Sequence, residues 1–294
     1  MASLKEVKTK IDGVKKTQQI TRAMNMVASA KLRSAQEKME SFKPYAEKFK
    51  ITLQRIGGNM TSGNFTLMEK RHPVNRAEIV VVTSDRGLCG SFNANIIGMA
   101  EKLMQDYEAE GKEVSFICIG KKGNQYFRKT GKVRERYLDI MSSKFQMDNA
   151  RTIAQNIGEN FIEGKSDEVK VVYGGFKSIM RQEPVTVDFL PIQPSEVEEE
   201  VAEEKKELKG AYIYEPEPEE IMEILLPLYL NVMVYNAMVQ VGASEHAARM
   251  TAMENATNAC KDMIHDLTTI YNKARQAAVT GELMDIVGGA EALK

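Results

Sequence analysis

Cysteine is scarce: Cys89, Cys118 and Cys260 are the only three in 294 residues, and they lie far apart. That spacing offers neither a disulfide framework nor a metal cluster, and it fits reduced thiols in a cytosolic compartment. An excess of either charge is also missing. Lys and Arg number 40 against 41 Asp and Glu, for a net charge of −1, which argues against bulk affinity for nucleic acid. No window approaches the roughly 18–20 uninterrupted apolar residues of a membrane span. The first residues, MASLKEVKTKIDG, lack an apolar core for a signal peptide, and Glu6 and Asp12 do not suit a transit peptide. With 43% hydrophobic and 28% charged residues the composition is globular, so the expectation is an intracellular, soluble chain whose membrane contact is at most peripheral.

Heptad spacing is abundant at both ends. From the N-terminus, Leu4, Val7, Ile11 and Val14 fall on one stripe, which resumes at Met24, Ala28, Ala35, Met39, Phe42, Ala46, Phe49, Leu53 and Ile56. Ser3 with Glu6 reads as a capping box, Pro44 as a kink, and Gly57 with Gly58 as the end. Near the C-terminus a stripe runs from Ile221 through Leu228, Tyr235, Met253, Met263 and Ile270 to Met284, over about nine heptads. Pro216 and Pro218 precede it, and Gly288 and Gly289 suit its end. Such a helix is roughly 100 Å long, more than a compact domain of this size can hold.

The stretch between these helices alternates strand and helix signals. Ala77–Ser84, Val114–Ile119, Val133–Ile140, Val169–Tyr173 and Pro184–Ile192 read as strands. Phe92–Glu110, Gln125–Lys129 and Asp148–Glu163 read as helices. That order predicts βαβ units on a mostly parallel sheet, closed by an antiparallel hairpin because the last two strands lie too close for a helix between them. Residues 194–210 read as a charged, solvated excursion. The predicted organisation is an N-terminal helix over 1–57, a central α/β domain over 70–213 and a C-terminal helix over 216–288. The two terminal helices pair antiparallel. If residue 56 lies beside residue 220, residue 1 lies beside about residue 275, and a tip over 276–294 projects beyond its partner. Rich in Ala277, Ala278, Val279, Leu283, Met284, Ile286 and Val287, that tip calls for a sleeve made by another protein.

Sites of chemistry are lacking. The turn TSDRGLCGSFN (83–93) opens a helix after the first strand, where α/β sheets often bind ligands, yet neither G-x-G-x-x-G nor G-x-x-x-x-G-K-[ST] occurs. The three histidines are too far apart for a metal site, and no nucleophile–base set stands out. The expectation is no catalytic residue, no cofactor and no metal. Residues 1–33 do carry eight Lys and Arg against two acids, which suits an acidic protein surface as partner. Two rival readings are a free-standing α/β enzyme with a coiled-coil arm and a nucleic-acid-binding arm. The first wants a ligand fingerprint at the first βα turn. The second wants bases along both helices, whereas residues 270–294 hold three bases against three acids.

Together with that turn, ITRAMNMVASAKLR (20–33), YEPEPEEIMEILLPLYL (214–230), ASEHAARMTAMENAT (243–257) and YNKARQAAVTGELMDIVGGAEAL (271–293) resemble the gamma subunits of F-type ATP synthases, in order and spacing along the whole chain. The resemblance implies a long antiparallel coiled coil with a central Rossmann-like α/β domain. It implies a non-catalytic central rotor shaft inside a ring of three alpha and three beta subunits, with epsilon and the c-subunit ring at its foot. It implies one copy per complex, peripheral on the cytoplasmic side of a bacterial plasma membrane. By the same resemblance Met24, with Arg22 beside it, faces the acidic lever loop of a beta subunit. Arg275 and Gln276 make polar contacts to a beta-subunit loop, with Thr280 and Glu282 on the same tip. Residues 190–215 contain no cysteine, so the dithiol switch of chloroplast members is not expected.

Overall fold

The computed structural model describes residues 4–58, 65–141, 145–193 and 215–292. Ser3 of the expected capping box and the acidic stretch 194–210 lie outside them. Two long helices bracket the chain: α1 spans Leu4–Gly58, and the last helix, here α5, spans Pro218–Ala292. Between them come β1 (Arg76–Val82), α2 (Phe92–Ala109), β2 (Glu113–Ile119), α3 (Lys121–Phe127), β3 (Val133–Tyr137), α4 (Met147–Ile162), β4 (Glu168–Ser178) and β5 (Arg181–Leu190). Contacts divide the chain into two compact units, Met1–Ala30 with Arg249–Lys294, and Lys31–Ala248.

In the larger unit the strands form one sheet in the order β3-β2-β1-β4-β5. All neighbours are parallel except β4 and β5, which pair antiparallel as the short connection requires. β1 is buried from Ala77 to Val82, the continuous pattern of a central strand covered on both faces. Adjacent glycines of β4 show what covers each face. A Cβ on Gly174 would come within 2.3 Å of the Phe92 ring of α2, whereas one on Gly175 would face Gln240 of α5. Successive strand residues point to opposite faces, so α2 and α5 sandwich the sheet. Met222, Leu226, Leu230, Val234, Met238 and Val241 of α5 join the core, and Gly158 of α4 lies against Leu230.

This corrects the single stripe expected of the C-terminal helix. Lower α5 is buried on two sides: Met222 through Val241 meet the sheet, while Tyr229 and Tyr235 meet Phe49 and Phe42 of α1. Leu228, placed on the stripe from sequence, is 42% exposed. α1 runs through Pro44. An interior proline costs about 3 kcal/mol, offset here by the ring contacts of Phe42, Tyr45 and Phe49 around it. α5 likewise continues through Gly288 and Gly289 to Ala292. Neither glycine takes the left-handed backbone that would end the helix, and each costs only about 1 kcal/mol inside it. One 18-residue window of α5, with mean hydropathy 1.5, is long and apolar enough to span a membrane by composition, although polar residues interrupt it. Half of that window is buried within the protein, as befits a core helix.

Candidate partner-binding surface

The smaller unit contains every candidate contact residue. Here α1 and α5 run antiparallel, and polar side chains set their register. Asn25 donates from Nδ2 to the carbonyl of Met250 at 2.8 Å. Thr257 Oγ1 donates to Thr21 Oγ1 at 2.8 Å, and that hydroxyl passes its own hydrogen to the carbonyl of Gln18 at 3.0 Å. The seam therefore runs Val7, Ile11, Thr21, Asn25, Ala28. Thr21 occupies the gap that hydrophobic spacing left between Val14 and Met24, and Asn25 takes the inward position next to Met24. Met24, read from sequence as a stripe residue, sits half-buried beside the seam. On α5, Met263 and Ile270 are 48% and 52% exposed, and Ile264 and Tyr271 take the inward positions instead.

From this register, Leu4 lies level with about residue 273 of α5. Beyond that level the partner runs out, and residues 279–290 are exposed without exception. Val279, Leu283, Met284, Ile286 and Val287 are between 50% and 68% exposed, too much apolar surface on one helix for water to be its working environment. Arg275, Gln276, Thr280 and Glu282 are exposed on the same segment. On α1, Arg22 is exposed, as are Lys15 and Lys16, and none of the three has an ion-pair partner among the described residues. Lys15 and Lys261 line a shallow groove with Gln18, Gln19 and Ile264. Ile20, Met26 and Val27 add exposed apolar surface, with Ile20 and Val27 two turns apart on the side away from the seam. Sequence reading passed over them because their apolar spacing belongs to no intramolecular stripe.

At the carboxyl ends of β1, β2 and β3 the protein's own groups bond one another. Asp85 Oδ1 accepts the backbone N–H of Lys121 at 3.0 Å and of Asp139 at 3.1 Å. Ser84 and Asn93 bond each other across the turn. Gly120, at φ 96°, packs so tightly on Thr83 that a Cβ would sit 2.1 Å from its carbonyl oxygen. Burial pushes the Cys118 thiol up to about 12, which leaves it protonated and unreactive. Among the described residues no cluster of His, Cys, Asp or Glu is arranged to hold a metal ion.

The antiparallel helical pair ends in a bare, apolar helix, a surface open to a partner. Comparison gives the class: the family profile described as ATP synthase matches residues 3–293. A protein of Desulfotalea psychrophila called ATP synthase gamma chain is 61% identical over the full length of both chains, and one of Syntrophobacter fumaroxidans, of the same name, is 48% identical, again over all of both. The chain belongs to the ATP synthase gamma-chain family. The fold agrees: a chain of the Euglena gracilis mitochondrial ATP synthase superposes with TM-score 0.66 at 20% identity, covering 99% of this chain and 94% of its own. A chain from the central stalk and c-ring structure of Tetrahymena thermophila gives TM-score 0.60 at 24% identity, covering 81% and 99%.

Proposed function

We propose that this chain is the central rotor shaft of a bacterial F-type ATP synthase. It couples ion flow through a c-subunit ring to ATP synthesis in a head of three alpha and three beta subunits. The full-length match at 61% identity to an ATP synthase gamma chain carries the reading. The geometry supports it from the other side, since a helix end exposed from residue 279 onward needs an enclosing partner. In this role the chain is non-catalytic, holds no cofactor, and is present once per complex. Its α/β domain sits with epsilon on the c ring at the cytoplasmic face of the plasma membrane, and its paired helices turn inside the head.

The proposed division of labour follows the exposure of each residue. Arg22 and Met24, with Lys15 and Lys16 nearby, meet an acidic lever loop of a beta subunit. Arg275 and Gln276 bond a beta-subunit loop around the tip, with Thr280 and Glu282 beside them. Each exposed charge contributes about 0–1 kcal/mol, so a turning shaft is held by many weak contacts and not by one strong one. The test is affinity purification of the tagged chain from solubilised membranes. Stoichiometric recovery of alpha, beta, epsilon and c subunits is expected. Recovery of the chain alone, or with unrelated proteins, would refute the reading.

A further inference from the structure

The larger unit attaches its two long helices to the α/β domain in different ways. α5 is buried against the sheet at every turn from Met222 to Val241. α1, by contrast, is anchored in that core by Leu53 and Ile56 but has no buried residue between Leu32 and Leu53. Within this stretch stands Lys38. Its ammonium donates to the backbone carbonyl of Phe145 at 2.8 Å and lies 4.0 Å from the centre of the Phe145 ring and 5.2 Å from that of Tyr235. No carboxylate pairs with it among the described residues, and burial lowers its pKa. A cation held by a carbonyl and two ring faces is a directional grip that salt screens little.

Three elements meet at this grip. Phe145 leads directly into α4, whose first turn is fixed by the reciprocal bonds of Gln146 and Asn149. Tyr235 belongs to α5 and also packs edge-on to Phe42 of α1, with ring centres 4.7 Å apart. The Phe145 and Tyr235 rings are themselves 6.1 Å apart at a steep angle. Apolar packing of α5 on the sheet resists separation but is non-directional, so it permits sliding. A charge-assisted hydrogen bond has a preferred direction and resists it.

We propose that Lys38 is a positioning residue for torque transfer: it braces α1 to the lead-in of α4, so that both helices of the shaft twist with the α/β domain. The inference rests on the rotor reading above. Without this grip α1 would keep Leu53 and Ile56 as its buried anchors in the α/β core, would be more compliant above them, and would take up part of each step as elastic lag.

The test uses the assembled, membrane-bound complex carrying wild type, Lys38→Met, Lys38→Arg or Phe145→Leu. Methionine keeps the apolar stem and removes the charge; arginine keeps the charge; leucine at 145 keeps the carbonyl and removes the ring. In Lys38→Met, amide exchange over residues 145–149 rises about tenfold, as expected for losing one charged hydrogen bond. Angular fluctuation of a stalled rotor widens, and protons pumped per ATP fall under load, while ATP hydrolysis in uncoupled membranes stays at the wild-type rate. Arginine restores all three readouts, and Phe145→Leu falls between. Faster exchange with unchanged rotor stiffness and pumping ratio would overturn the brace and leave Lys38 a local packing residue. A wild-type complex that hydrolyses ATP without turning this chain would overturn the rotor reading together with it.

Discussion

Replacing Glu78 by Gln removes a fall in stability of roughly 3 kcal/mol that the wild-type α/β domain undergoes between about pH 4.5 and pH 7. Glu78 lies in the middle of β1, beside Ser115 of β2 and Val169 of β4, and is 0% exposed. Arg134 reaches it across β2, with Nη1 2.8 Å from Oε1, and the Ser115 hydroxyl approaches the same oxygen at 3.4 Å. The other oxygen has no hydrogen-bond partner among the described residues. Burial raises the carboxyl to about 7, against the opposing pull of Arg134 and with a smaller push from Glu135. The unfolded carboxyl loses its proton near pH 4.5, whereas the folded one keeps it to about 7, so the folded state binds the extra proton over that window. Stability therefore falls as pH rises through it and levels off above. Urea unfolding of wild type and Glu78→Gln at several pH values checks this. The difference between the two profiles should change by roughly 3 kcal/mol in favour of the variant from pH 5 to pH 8. Parallel profiles would show that Glu78 is ionised throughout.

The end of α5 gives the second large effect. In the free chain, residues 279–290 have no helical partner among the described residues and no buried side chain. A lone helix of this length is marginal in water, so its amides should exchange within about tenfold of an unstructured peptide. In the assembled head the same amides should be protected as strongly as the paired helices. Contacts at a bearing need shape more than adhesion, whereas Arg275 and Gln276 are exposed polar groups proposed to bond a beta-subunit loop. Arg275→Ala with Gln276→Ala should therefore impair assembly or coupling more than Ala277→Ser with Ala278→Ser. ATP hydrolysis and proton-pumping assays on both double variants decide between the roles. Equal damage would contradict the division, and strong protection of the tip in the free chain would contradict the register.

Much of the fold was legible because the two hydrophobic periods rarely compete. β1 was expected over 77–84 and forms over Arg76–Val82; α2 was expected over 92–110 and forms over Phe92–Ala109. The errors have tertiary causes. β4 was expected to stop at Tyr173 but runs on through Gly174 and Gly175 to Ser178. Both glycines leave no room for a side chain, since a Cβ would meet the Phe92 ring at Gly174 and Val185 at Gly175. Pro184 was read as the start of β5, yet that strand begins at Arg181. β5 is an edge strand, where a proline opposite Gly174 is tolerated. β3 ends three residues early because Asp139, at φ 63°, turns its N–H to Asp85. α3 starts at Lys121, earlier than expected, with Gly123 inside it where Thr83 leaves little room for a side chain. Lys38 and Glu78 left only faint traces, a lysine within a heptad pattern and an acid within AEIVVV. Their meaning depends on Phe145 and Arg134, residues distant in sequence. The proposed contact residues of the shaft surface come from resemblance, since exposure of a helix face is invisible until its partner helix is placed.

The central claim is that this chain turns. The direct measurement immobilises the purified catalytic head by its beta subunits, attaches a visible probe to the α/β domain of this chain, and follows the probe as ATP is added. The account predicts stepwise rotation in one direction, at three main positions per turn and at a rate set by ATP hydrolysis. A probe that stays fixed, or only fluctuates about one angle while ATP is hydrolysed at the normal rate, would contradict it.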